Sequence, residues 1–222
     1  MRLLITMLFA AGLLFSWHGL ATADSQYPPP TNIRVTNIPQ LNNEEQVWIC
    51  PTDSSVIIAN WRDFRLGFRQ IGIGRSTDGG QTWTDSLIHW TMQYFREQSQ
   101  QSDPTLTVDR LGRYYISALD YIPGVGVNGS VIAFYRSDDK GISWYGPFAH
   151  APLGEFFEDK QFITVDRTGG PYDGNLYCAW ARFENPNRIM FVRSTSGAET
   201  FDDTLIIGPI QSSTGCGGGI DA

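Results

Sequence analysis

Basic clusters are missing from this sequence: no run of Lys or Arg is longer than two, and the 222 residues carry a formal net charge of −7 at pH 7. Without a basic footprint no nucleic-acid partner is expected, and an acidic surface is repelled by anionic lipid. Histidine is scarce, at three residues. The two beyond the N-terminal segment, His89 and His150, stand alone, with no HExxH or paired spacing, so no zinc is expected. No EF-hand loop occurs, and Gly215-Cys216-Gly217-Gly218-Gly219 lacks the Lys-Ser/Thr of a phosphate loop and reads as turn-forming sequence. Neither a metal nor a cofactor is therefore predicted. Cysteine is too rare for a disulfide scaffold. Cys50, Cys178 and Cys216 are an odd count; one pair is open, its members are not determined, and each thiol serves equally well as a small buried hydrophobe. Helical periodicity is nearly absent, with two turns at most over residues 94–101.

Long apolar runs are also missing, with one exception at the start. Arg2 precedes residues 3–17, which are apolar apart from Thr6 and Ser16, and Ala21-Thr22-Ala23 follows. A basic start, a short apolar core and a small-x-small site make a signal peptide cut after Ala23. An uncleaved anchor is the alternative, but the run is short for a span and no stop-transfer pattern follows. The residue after the cut is Asp24 rather than Cys, which argues against a lipoprotein. The mature chain is expected outside the cell or in a periplasm, with no membrane span. The sequon Asn128-Gly129-Ser130 has meaning only in a eukaryotic host.

What is present is globular: 41% hydrophobic residues, seven Trp and 23 Gly, a composition that supports a core joined by many tight turns. The most informative feature is repetition. Ser76-Thr77-Asp78-Gly79-Gly80-Gln81-Thr82-Trp83 has the form S-x-D-x-G-x-T-W, and Ser137-Asp138-Asp139-Lys140-Gly141-Ile142-Ser143-Trp144 repeats it with Ser for Thr. Ser194-Thr195-Ser196-Gly197-Ala198-Glu199-Thr200-Phe201 is a third, eroded copy, with Ser for Asp, Ala for Gly and Phe for Trp. The copies start 61 and then 57 residues apart. Two β runs joined by a turn precede the third run that leads into each box, and a fourth follows it. The inner runs are read at residues 48–53, 106–110 and 163–167.

Four strands per unit, repeated, is the logic of a propeller blade, and one blade needs neighbours to bury its two faces. The expected class is all-β, a β-propeller of four-stranded antiparallel blades. After the signal (1–23) and a lead-in (24–42), a partial propeller occupies 43–222, with units at about 43–90, 102–150 and 158–209. Three units do not close a ring, so a longer natural protein is expected, with self-association as the alternative. In each box the carboxylate of Asp78 or Asp139 is suited to accept backbone N–H groups across a hairpin. Gly80 and Gly141 supply unusual backbone angles, Ser76, Ser137, Thr82 and Ser143 bond locally, and Trp83 and Trp144 add apolar area. These acids read as structural, and the third turn as the weakest.

The boxes resemble those of the BNR/Asp-box superfamily, whose best-known members are exo-α-sialidases with six-bladed propellers. Xyloglucan-active glycosidases, sortilin-type receptors and photosystem assembly factors also carry them. The resemblance covers roughly residues 43–209. A sialidase would hold the sialate carboxylate with three arginines, use an Asp as general acid/base and attack with a Tyr polarised by a Glu. The stretch matching the first arginine motif, R-I-P, is Trp48-Ile49-Cys50-Pro51, without Arg. Arg62 fits the second arginine, and the only nearby acid is Asp63. The resemblance thus implies a glycan or glycoconjugate ligand, with Arg62 gripping a carboxylate and Asp63 carrying the proton; the strand-to-loop segment Arg62-Asp63-Phe64-Arg65, which mixes charge and aromatic character, adds Arg65 as a substrate contact. A second candidate is a ring of acids at the unit starts, Glu44-Glu45, Asp103 and Glu158-Asp159, suited to a cation or to sugar, with Asp103 and Asp159 as substrate contacts; recurrence in every unit equally fits a structural role at the strand entry. The alternative function is a non-catalytic extracellular module that binds glycan or protein, which the missing arginine favours.

Overall fold

The computed structural model describes residues 31–88, 99–124, 129–150, 156–184 and 186–208. The compact unit that begins at Ile33 carries every strand. The first sheet holds β1 (Asn42–Ile49), β2 (Ile57–Asp63), β3 (Gln70–Ser76) and β4 (Thr84–Leu87). The second holds β5 (Gln100–Val108), β6 (Tyr114–Tyr121), β7 (Ser130–Ser137) and β8 (Tyr145–His150). The third holds β9 (Phe157–Val165), β10 (Leu176–Phe183), β11 (Arg188–Ser194) and β12 (Leu205–Ile206). Each sheet is an antiparallel meander in chain order. Among the described residues no helix is long and apolar enough to cross a membrane. Of the stretch read as helical, Gln100 and Gln101 open β5, while residues 94–98, like His89, the sequon asparagine, the signal segment and the glycine-rich tail with Cys216, lie outside the described residues.

The first strand of each unit starts earlier than the sequence reading placed it. Cys50 is no longer in β1; its N–H donates to the Val56 carbonyl and closes the turn to β2. The polar residues before the apolar runs belong to the strands because a bulge, described below, lets them face away from the core.

Two cores fill the spaces between sheets. Ile58, Ile71 and Ile73 of the first sheet meet Leu106, Ile116 and Tyr135 of the second. The other face of the second sheet sends Tyr115, Ile132 and Phe134 against Leu176, Trp180 and Met190 of the third. This is strand alternation at work: successive residues of β6 and β7 serve opposite cores. Cys50 and Cys178 are free thiols buried in different cores. His150 is packed 5.0 Å from the Phe201 ring and 5.8 Å from Trp180. Burial and the Arg182 charge lower its pKa, and its ring nitrogen bonds Thr204 Oγ1.

The three boxes form the turns between the third and fourth strands. In the first, Asp78 accepts from Ser76 Oγ (2.8 Å), Thr82 N (2.9 Å) and Thr82 Oγ1 (2.6 Å), while Gly80 N donates to Ser76 Oγ. Asp139 accepts from Ser137 Oγ, Ser143 N and Ser143 Oγ in the second. In the third, Ser196 Oγ stands in for the carboxylate and accepts from Thr200 N at 2.8 Å. Its Ala198 adopts φ 72°, where the intact boxes have glycine, so this turn combines a neutral acceptor with a strained backbone.

The side-chain and backbone hydrogen bonds from Thr82, with that from Ser76, bring the Asp78 pKa down from 3.8 to about 2. A depressed carboxyl stabilises fully above its unfolded pKa and loses that contribution as pH falls through the folded one. Asp78→Ala should therefore lower Tm at about pH 6, and the gap to wild type should close as pH approaches about 2. Thermal melts across that range test it, and a gap independent of pH would contradict it.

A further repeat ties neighbouring sheets together. Arg75, at the end of β3, donates to the Lys140 carbonyl in the second box. Arg136, at the end of β7, donates to the Gly197 carbonyl in the third. Arg193 holds the same place in β11 and pairs instead with Asp202 at 2.6 Å. The box aromatics follow the same order. Trp144 packs into the first inter-sheet core and Phe201 into the second, while Trp83 lies beside Gly74, near Val35 of the lead-in.

Candidate active site

β5 packs against both β1 and β9, so these first strands converge. Each carries the same irregularity. Pairing skips between Asn43 and Gln46, between Ser102 and Thr105, and between Asp159 and Phe162. At the first skipped position stand Glu44 (φ 61°), Asp103 (φ 51°) and Lys160 (φ 54°), all non-glycine residues in the left-handed region. Two residues against one is a β-bulge, and it re-aims the side chain there. Three strained charged residues at equivalent places are a pattern that concentrates at functional sites.

The bulges bring the charges together. The Asp103 amide donates to Glu44 Oε2 at 2.9 Å. Lys160 Nζ lies 3.0 Å from Asp103 Oδ1 and 4.0 Å from Glu44 Oε1. Arg62, on β2, reaches in with Nη1 2.9 Å from Glu44 Oε1, and bonds Ser102 Oγ and Asn43 Oδ1. Asp103 and Asp159 line the same cleft, and each shifts the titration of the other. Opposite them, Arg69 bonds the Tyr121 hydroxyl and lies 5.9 Å from that ring's centroid. Tyr121 meets Phe157 edge-on at 6.4 Å. Together they enclose a cleft of roughly 270 Å³.

Two carboxyls in contact cannot both ionise freely. Burial, then the hydrogen bond and charge of Asp103, push the Asp159 pKa up to about 7. Burial works to raise Asp103 as well, but hydrogen bonds from Asp159, Lys160 and Glu44 outweigh it and hold the group below its ordinary value. Glu44 is raised, first by burial and then by Asp103, against the pull of Arg62. The site thus holds a proton near neutral pH beside an ionised carboxylate, the division of labour that general-acid chemistry needs.

The sequence-derived residues separate into two groups. Arg62, Asp103 and Asp159 come together in the cleft. Asp63 and Arg65 do not join them, because alternation along β2 turns Asp63 to the face opposite Arg62. Its buried carboxylate accepts from Trp61 Nε1 (2.7 Å), Arg65 N (2.8 Å) and the Arg65 guanidinium. Burial alone would raise its pKa, yet these bonds lower it, so Asp63 stays ionised and saturated. Arg65 is held between Asp63 and Asp85. Of the other acids, Glu45 is exposed, and Glu158 is buried against Arg182 (2.6 Å) and Trp180 Nε1. The stretch Trp48-Ile49-Cys50-Pro51 lies at the far end of β1, where Trp48 pairs with Ile58; the residue opposite Arg62 is Asn43. Lys160, Arg69 and Tyr121 escaped the sequence reading. Lys160 alone carried a signal, its place beside Glu158-Asp159.

No family model matches this sequence, and no curated protein does. The fold does have solved counterparts. A Hadza microbial sialidase superposes with a TM-score of 0.55 at 21% identity, over 72% of this chain and 36% of its own. The GH93 α-L-arabinofuranosidase of Fusarium graminearum, in complex with arabinobiose, gives 0.53 at 17% identity, over 80% and 50%. An α-L-arabinanase of Penicillium chrysogenum, also with arabinobiose, gives 0.51 at 16%, over 76% and 50%. The fold is that of a β-propeller. Its three four-stranded sheets are blades, β1, β5 and β9 are their inner strands, and the cleft lies where those strands meet. This chain spans half or less of the length of the propellers to which it is similar.

Proposed function

We propose that this propeller acts on glycans bearing a carboxylate, as a glycoside hydrolase releasing terminal sialic acid. The observation that carries the proposal is that Asp103 and Asp159, both held by Lys160, line one cleft with Arg69 and Arg62. Asp159 gives its proton to the glycosidic oxygen as the bond to the anomeric carbon breaks. The ionised Asp103 and Glu44 stabilise the positive charge that develops on the sugar ring, and a water molecule then adds to the anomeric carbon and returns a proton to Asp159. Arg69 holds the sugar carboxylate, because Arg62 is already committed to Glu44, Asn43 and Ser102. Tyr121 and Phe157 offer aromatic surface to the sugar. Among solved propellers of this shape are a sialidase and arabinan-directed enzymes, which supports a carbohydrate ligand.

The test is the full chain assayed on a fluorogenic sialoside and on a fluorogenic α-L-arabinofuranoside. Turnover of the sialoside alone is expected. Arg69→Ala should raise KM about 10- to 100-fold by removing a charge-assisted contact. Equal turnover of both substrates would overturn the preference for a carboxylate-bearing sugar, and none of either would overturn the enzyme reading.

Engagement of Arg62 by Glu44 supports a second reading, a binding module in which the arginine is structural. Calorimetric binding of sialyllactose without turnover would select it. Export is part of both readings, and N-terminal sequencing of protein recovered outside the cytoplasm should begin at Asp24.

A further inference from the structure

The bulge in β9 differs from its two counterparts in one respect: it carries a cation where β1 and β5 carry acids. The backbone at Lys160 is tied back, its N–H donating to Asp159 Oδ1 at 2.9 Å, while its side chain crosses to Asp103 on the neighbouring inner strand at 3.0 Å. One residue therefore contacts both members of the carboxyl pair by different atoms. The amide touches Asp159 and the ammonium touches Asp103.

That arrangement is asymmetric in charge. The ammonium hydrogen-bonds Asp103 directly, whereas Asp159 takes its hydrogen bond from a neutral amide and feels the ammonium only through space. Every other charged or titratable group facing the pair leaves the same bias in place. Glu44, from β1, accepts the Asp103 amide and is itself paired with Arg62 of β2. Arg69, ahead of β3, is bonded to Tyr121 of β6 rather than to either carboxyl. We propose that Lys160 is a positioning residue: its ammonium keeps Asp103 as the carboxylate and so leaves the shared proton on Asp159, the acid that faces the glycosidic oxygen. The catalytic part of this inference rests on the glycosidase reading, whereas the placement of the proton does not.

The direction of the shifts agrees, with Asp103 held low and Asp159 raised. Lys160 is half exposed, so water and salt screen its charge and a moderate effect is expected rather than the maximum for a buried pair.

The experiment is a carboxyl titration of the full chain labelled with ¹³C at aspartate Cγ, the two resonances being assigned through Asp103→Asn and Asp159→Asn. In the wild type, Asp159 should carry most of the amplitude of the upper titration step and Asp103 little of it. In Lys160→Met the amplitude should divide between the two, and both apparent pKa values should rise by about one unit. Lys160→Arg should restore the wild-type pattern. Lys160→Asn, a residue tolerant of the left-handed backbone, should behave like Lys160→Met and covers the case in which that variant misfolds. Unchanged amplitudes in both neutral variants would overturn the inference. The same proteins assayed on the fluorogenic sialoside separate the two claims. A redistributed proton with no turnover in any variant leaves Lys160 in its role and removes only the glycosidase reading. With turnover, the alkaline limb of the pH–rate profile should move upward in Lys160→Met, a shift that a merely structural lysine would not cause.

Discussion

Asp159→Asn should cost about 10²- to 10⁴-fold in sialoside turnover, the range for loss of a general acid. Asparagine keeps the oxygen that accepts the Lys160 amide, so the bulge in β9 is retained and only the transferable proton is lost. In the wild type, turnover should fall as pH rises through about 7, where Asp159 gives up its proton. The same shift has a consequence for stability, of opposite sign to that at Asp78. Here the folded pKa lies above the ordinary 3.8, so the native state holds the proton more tightly than the unfolded chain does. Stability from this group is complete below the unfolded value and is lost as pH rises through about 7. Asp159→Asn should remove that decline, and its Tm should exceed that of wild type at about pH 8 while turnover remains low. Low turnover accompanied by a collapsed Tm at every pH would instead make Asp159 a structural residue.

Gly72→Ala should lower stability by about 3 kcal/mol, toward the upper end of what overpacking a core costs. A Cβ at Gly72 would stand 2.3 Å from Trp61 Cε2 and Nε1, far inside contact distance. The indole has nowhere to retreat. It is 3% exposed, it lies across β3 over Gly72 and Gly74, and Val35 and Trp83 crowd the same face of Gly74 beside it. Displacing it also breaks the bond from Trp61 Nε1 to Asp63, on which the Arg65 and Asp85 contacts are built. For a chain of this size the loss corresponds to roughly 6–12 °C in Tm. Trp61→Leu/Gly72→Ala, which removes the obstructing ring, should be less destabilised than the sum of its single variants. Strict additivity would show that the clash is relieved by some other movement.

Both predictions depend on residues that the sequence could not sort. Arg62 and Asp63 are adjacent in the chain, and proximity suggested a catalytic couple. In a strand, adjacency means opposite faces, so the pair is divided between the cleft and the opposite side of β2, where Asp63 is buried beside Trp61 and Arg65. The start of β5 was hidden for a related reason. The polar stretch Gln100-Gln101-Ser102-Asp103 has no apolar alternation, yet it forms the start of β5, because its ladder to β6 and the bulge supply what its side chains do not. The acids at Glu44, Asp103 and Asp159 read as unit starts for the same reason. A bulge is a matter of backbone angle and register, and no residue type announces it when glycine is absent.

The local part of the architecture was already written in the chain. A Ser-x-Asp-x-Gly-x-Thr-Trp octet contains its own hydrogen-bond partners within four residues, so it specifies a hairpin wherever it falls, and its recurrence marks the number of repeats. Period-two runs on either side specify strands for the same local reason. The cleft was decided by tertiary structure alone. Glu44, Asp103 and Lys160 are more than fifty residues apart, and only the radial stacking of blades, driven by the apolar cores between them, brings three bulged strands close enough for their charges to meet in one cleft.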